Sequence, residues 1–269
     1  MTGTADALWW HAALAGLGYA LALAVVTWIV SVGRRDVSVV DSLWSIFITG
    51  AGIVYALILP WPTSRPALML ALAIAWALRL SIYIAWRNHG QPEDRRYQEI
   101  RARNEPHFAM KSLVLIFGLQ AVLAWIVSAP LYAGVHGTQP LNALDAVGAA
   151  LAAFGIAFEA VADAQMARFK ADPAHRGQVM DRGLWRYSRH PNYFGEFCTW
   201  WGLYVIALAA GGGWWSIVSP LLMTYLLLKV SGVSLLEKDI TERRPAYRDY
   251  IARTSVFFPA PPRHREGAT

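Results

Sequence analysis

The sequence predicts an all-α membrane protein: a polytopic bundle of seven transmembrane helices, with the N-terminus outside and the C-terminus cytoplasmic. Three observations predict it. Hydrophobic residues make up 56 % of the 269-residue chain and charged residues only 16 %, against about 45–50 % and about 25 % in soluble domains. Seven stretches approach the roughly 20 apolar residues that cross a bilayer as a helix. Lysine and arginine fall in alternate connections, as expected when basic residues stay on the cytoplasmic side.

The first stretch, about 7–32, has no Lys or Arg ahead of it. A cleaved signal peptide needs a basic leading region, so a retained span is expected. The second, about 37–59, is bounded by Asp36 and Pro60, and the third, about 66–86, by Pro66 and Arg87. The fourth, about 111–130, ends at Pro130, and the fifth runs over about 143–168. Gly211, Gly212 and Gly213 separate the sixth, about 194–211, from the seventh, about 214–236. No repeat or low-complexity linker interrupts the chain, so a single domain, 1–269, is expected.

The connections give the orientation. Arg34 and Arg35 mark the first loop, and Arg87, Arg95, Arg96, Arg101 and Arg103 the third. Lys170, Arg176, Arg182, Arg186 and Arg189 mark the fifth, and the tail carries Lys238, Arg244, Arg253, Arg263 and Arg265 among others. The second loop has only Arg65 and the fourth has no basic residue. Strict alternation requires an odd number of spans. The net charge of +6 is thereby read as a topology signal, and no nucleic-acid partner is expected. The lone Cys198 excludes an intramolecular disulfide and a paired-cysteine metal or redox site, and no metal is expected.

Charge inside a bilayer is expensive and normally faces the bundle interior. Asp41 stands near the inner end of the second span, either as a helix-terminus residue or in a functional role. Arg79 and Tyr83 are four apart in the third span and share a face; Arg79 needs a partner, for which Asp41 is a candidate. Glu159, Asp163 and Lys170 form one stripe of the fifth span. Lys229 and Glu237 would share the cytoplasmic rim if the seventh helix continues, although Lys229 can also snorkel.

The most informative stretch is DRGLWRYSRHPNYFGEF, residues 181–197. Asn192 and Glu196 are four apart and project from one face at the start of the sixth span. Arg189 and His190 put positive charge at its mouth, where phosphate would find bidentate donors. A plain basic loop at the membrane edge is the alternative, and it leaves the carboxylate below Asn192 unexplained.

GLWRYSRHPNYFGE is similar to the signature of the steroid 5-alpha-reductases, the sterol C14 and C7 reductases and their bacterial relatives. The tail LLEKDITERRPAYRDYIARTSVFFP also resembles the end of these enzymes, so the likeness covers about residues 145–260. WRNHGQPEDRRY, residues 86–97, extends it more weakly. A related RHP element occurs in isoprenylcysteine and phospholipid methyltransferases, which bind S-adenosylmethionine and usually show a Glu-Glu doublet where this chain has Glu237-Lys238.

The resemblance implies NADPH as cofactor. Asn192 and Glu196 would meet its nicotinamide end, with Asp163, Lys170, Tyr187, Arg189 and His190 around it and Arg87 and Asn88 from the third loop; the charged residues Glu159, Lys229 and Glu237, read from the spans themselves, join them as cofactor-binding candidates. It implies reduction of a carbon–carbon double bond conjugated to a ketone, in a 3-oxo-4-ene steroid or a similar lipid enone. Asp41 and Tyr83 would serve the carbonyl, in place of the family's second-span glutamate and third-span tyrosine. The expected setting is a bacterial inner membrane, as a monomer opening to the cytoplasm. A methyltransferase and a non-catalytic lipid-binding protein are the competing classes.

Overall fold

The structure, a computed structural model, describes residues 2–61, 63–135, 137–230, 232–237 and 240–263; Lys238 and Arg265 of the basic tail lie outside them. Among the described residues all regular structure is helical. In chain order the helices are α1 (Thr2–Arg34), α2 (Val39–Ile58), α3 (Arg65–Asn88), α4 (Arg95–Asn104), α5 (Phe108–Val135), α6 (Ala143–Ala171), α7 (Pro191–Ala209), α8 (Gly213–Val230), α9 (Val233–Glu237), α10 (Ile240–Arg243) and α11 (Tyr247–Arg253). Six of these, α1, α2, α3, α5, α6 and α8, are long and apolar enough to cross a membrane.

The predicted sixth span corresponds to α7. It is helical for 19 residues, but Asn192, Glu196 and its paired tryptophans leave it less apolar than the other six. The fourth span runs past Pro130, because a break at Ser128 puts that proline in the first turn of a new helical segment, where a missing N–H is tolerated. The seventh does not continue to Glu237. It closes with a π turn, Leu226–Val230, and α9 starts separately. Gly232 marks the break: a Cβ there would run into the Leu227 carbonyl of the π turn.

The chain folds as two compact units. The first, Met1–Ala149 with Leu203–Ser219, buries Phe47, Ile48, Trp76 and Phe117. A Cβ on Gly16 of α1 would run into the Tyr55 ring of α2, so the glycine lets the ring lie against the helix. Tyr55 in turn exchanges a 2.8 Å hydrogen bond with Ser128 of α5. Arg65, read from sequence as a loop charge, is 0 % exposed. It donates to both oxygens of Asp145 at 2.7 and 2.9 Å and to the carbonyls of Gln139 and Pro140. A buried guanidinium needs this many acceptors to offset its desolvation.

The second unit, Ala150–Gly202 with Pro220–Thr269, is built on a close helix crossing. A Cβ on Gly155 of α6 would come within 2.5 Å of backbone atoms of Gly195 and Thr199, and one on Gly195 would come 2.6 Å from the Glu159 nitrogen. Small residues at both positions let α6 and α7 touch backbone to backbone. Phe194 and Phe197 then meet Phe257 and Phe258 of the tail edge to face.

Candidate functional site

The RHP loop is held by the C-terminal tail. Tyr187 accepts from the Ala260 N–H at 3.0 Å, and the Arg189 N–H donates to Ser255 at 2.8 Å. The Ser188 hydroxyl donates to Phe257 at 2.7 Å. Tyr250 of α11 donates to the Trp185 carbonyl at 2.5 Å. Beneath the loop, Gln165 of α6 accepts from the Leu184 N–H, and the Trp185 indole donates to Ala162. The backbone from 184 to 190 is therefore pinned on two sides before any side chain of the motif is considered.

Three predicted site residues meet here. Arg189 grips Glu237 with Nε at 2.7 Å and Nη2 at 2.9 Å, a two-pronged pair whose planar groups match. Its Nη1 donates to the carbonyls of Thr254 and Ile251. His190 Nε2 lies 3.0 Å from the same carboxylate, and the imidazole stacks on Tyr193 with ring centroids 5.5 Å apart. Arg189 is 8 % and His190 4 % exposed. The donors expected to face phosphate are, in this structure, directed at Glu237 and the tail.

Asn192 and Glu196 occupy the first two turns of α7. Glu196 is buried, as are Glu159 and Asp163 of α6, and the Gly195 crossing sets Glu159 against this stretch of α7. The side-chain oxygen of Asn192 is buried and has no hydrogen-bond partner among the described residues. Tyr187, Lys170 and Lys229 are exposed.

The remaining predicted residues belong to the first unit. Asp41 is bound by two residues of α4 that sequence reasoning did not connect with it: Arg96 donates at 2.6 Å and the Tyr97 hydroxyl at 2.6 Å. Asp94 caps α4 through the Arg96 N–H and also takes its guanidinium. The Ser38 hydroxyl beside α2 accepts from the Asp94 N–H at 2.7 Å. Tyr83 lies 6.1 Å from the Trp86 ring, with the Arg87 guanidinium 5.9 Å above it. Arg87 donates to Asn88 at 3.2 Å. Nothing in the sequence signals the Asp41 pairings, because 55 and 56 residues separate the partners.

A family model described as "Protein of unknown function (DUF1295)" matches residues 27–254. The chain belongs to this family. The DUF1295 match takes in every candidate site residue, from Asp41 to Glu237. The "Uncharacterized protein C594.04c" of Schizosaccharomyces pombe is 27 % identical, over 91 % of this chain and 78 % of the relative. No solved structure matches.

Electrostatics in this DUF1295 chain follow the hydrogen bonds. Burial works against the Glu237 charge, but the bonds from His190 and Arg189 outweigh it and hold the carboxyl at about 2. Burial, with the Glu237 charge nearby, pushes the Tyr247 hydroxyl up to about 12. In the first unit burial opposes ionisation of Asp94, and the bonds and charge of Arg96 overcome it and lower its value. Both carboxylates are thus anchors that stay charged at neutral pH.

Proposed function

We propose that this chain is a membrane-embedded reductase that passes a hydride from NADPH to the conjugated double bond of a 3-oxo-4-ene steroid or similar lipid enone. The observation that carries the reading is the buried Asn192 oxygen without a hydrogen-bond partner, four residues before the buried Glu196. An unsatisfied buried acceptor calls for a donor. The carboxamide N–H of a nicotinamide has the right chemistry, and a neighbouring carboxylate accepts a second such N–H. The residues fit the group, and the resemblance of the RHPNYFGE stretch points to the same pair.

When bound, NADPH supplies the hydride; the chain supplies position and charge. Asn192 and Glu196 orient the ring end, with Glu159 and Asp163 as the polar wall beside them. Tyr187, Lys170, Lys229, Arg87 and Asn88 remain the candidates for the rest of the dinucleotide. Arg189, His190 and Glu237 act chiefly by fixing the loop that presents Asn192. At the substrate carbonyl an acid or donor must meet the charge that develops on oxygen. Asp41 and Tyr83 are the candidates, and the Tyr97 hydroxyl on Asp41 is a further donor at that carboxylate. The arrangement suits a bundle of seven spans with its N-terminus outside. The cofactor end would open to the cytoplasm of a bacterial inner membrane, and the chain would act as a monomer.

Calorimetric binding of NADPH, NADH and S-adenosylmethionine to the detergent-purified chain tests this. NADPH is expected to bind, and Glu196→Ala to weaken it by about tenfold or more, the effect of losing a hydrogen bond to a charged group. Binding of S-adenosylmethionine in its place would overturn the reading in favour of a methyltransferase, and binding of none would favour the non-catalytic class.

A further inference from the structure

A cavity lies in the second unit whose lining includes neither Asn192 nor Glu196. It has a volume of about 1000 Å³ and sits between the 181–187 loop, α11 and the tail at Pro261–Arg263. Four arginines line it, Arg182, Arg186, Arg253 and Arg263, against two aspartates, Asp181 and Asp249. The lining therefore carries a formal excess of two positive charges, four minus two. Arg253 is committed to Asp181 at 2.5 Å, and Arg182 lies 3.2 Å from the His175 ring nitrogen. The side chains of Arg186 and Arg263 are exposed.

The frame around these arginines is fixed. The Arg253–Asp181 pair joins α11 to the start of the loop. The Arg263 N–H donates to the Arg253 carbonyl at 2.9 Å, and the Ala260 N–H to Tyr187 at 3.0 Å, which ties the tail to both. Basic residues spread along a cytoplasmic rim would serve topology alone. Here they converge on one concavity with Tyr187 on its wall and Pro261 and Pro262 beside it.

We propose that this cavity binds the phosphomonoester group of an anionic ligand. A dianion matches the charge excess, and each free guanidinium offers a planar fork to two phosphate oxygens. A phosphodiester carries one charge and fewer terminal oxygens, so the site discriminates between the two. The group could arrive on a lipid, as phosphatidic acid, or on a soluble molecule.

The test uses the full chain in phosphatidylcholine nanodiscs at neutral pH. The soluble arm titrates glycerol 3-phosphate, with dimethyl phosphate as the diester. The lipid arm replaces part of the phosphatidylcholine with phosphatidic acid or with phosphatidylglycerol and reads retained lipid by native mass spectrometry. Saturable binding of the monoester in either arm, preferred over its diester, supports the site, and the arm that responds names the source. The Arg186→Ala/Arg263→Ala variant is expected to weaken it by about tenfold or more, and Arg186→Lys/Arg263→Lys by less, since charge survives without the fork. Glu196→Ala should leave it unchanged, which separates it from the NADPH reading. Equal binding of monoester and diester by the unaltered chain, or no saturable binding in either arm, would overturn the proposal. So would undiminished binding by the double alanine variant.

Discussion

Glu237 is the carboxylate on which Arg189 and His190 of the RHP loop converge, and its charge has a consequence for stability. Its carboxyl sits at about 2 in the folded chain against an ordinary 4.5. A value lowered by folding stabilises the folded state above the unfolded value, and that contribution is lost as pH falls through the folded one. The window therefore runs from about 4.5 down to about 2, and the contribution at neutral pH is on the order of 3 kcal/mol. Glu237→Gln removes it. The difference in unfolding free energy between the two proteins should stay level from about pH 7 to about pH 5 and close on further acidification. A difference that persists undiminished in acid would show that packing, not charge, ties Glu237 in place. The Asn192–Glu196 pair was legible in the sequence, because a four-residue spacing fixes a shared helical face. The Arg189–Glu237 pair was not, since its partners stand 48 apart and Arg189 read equally well as a phosphate ligand. Arg65 was misread for a related reason: an arginine at the start of a helix gives no sign that Asp145, 80 residues on, will bury it.

Helices were easier to read than their crossings. Apolar length gave the six long helices, but no pattern marked Gly155 and Gly195 as the place where α6 and α7 touch. Glycine is common in membrane helices, and here Gly18 and Gly33 face open space while Gly16, Gly50 and Gly134 face side chains, so a glycine alone does not mark a backbone-to-backbone crossing. The crossing can be tested at that scale. Gly155→Ala would put a Cβ within 2.5 Å of Thr199 N and Gly195 O, which are backbone atoms that cannot swing aside. The helices must part, at a cost of about 1–3 kcal/mol from overpacking. They would carry Glu159 away from the start of α7, so NADPH affinity should fall along with thermal stability. Gly18→Ala in α1 is the matched control: nothing lies within 4 Å of its added methyl, and alanine is the better helix former by up to about 1 kcal/mol. It should melt at or slightly above the unaltered chain. If the two variants melt alike, the close crossing is not what holds these helices together.

For the whole molecule, hydropathy and the arginine pattern made the membrane character plain, while the number of crossings rests on one helix. α7 carries its polar residues in its first turns because those turns build the candidate site, and the same residues lower its hydropathy. A helix that serves both purposes is ambiguous to any hydropathy reading. On the charge-alternation reading it crosses, which would put Arg176 and Arg182 before it and the uncharged Gly211–Gly213 turn after it on opposite sides. Site-directed thiol labelling decides the matter. Cys198, the sole native cysteine, is replaced by alanine, and Ala174→Cys and Gly212→Cys are made singly. Both positions are exposed, and Gly212 has open space around it with an extended φ of −159° that any residue adopts. In intact cells a membrane-impermeant maleimide should label the cysteine at 212, and reach the one at 174 only after permeabilisation. A second pair across α5, Gln91→Cys and Thr138→Cys, should behave likewise, with 138 accessible from outside. Labelling of 174 and 212 from the same side would mean that α7 does not cross. The chain would then span the bilayer six times, its two termini would share one side, and the orientation inferred from the loops would fail for the Gly211–Gly213 turn and the C-terminal tail.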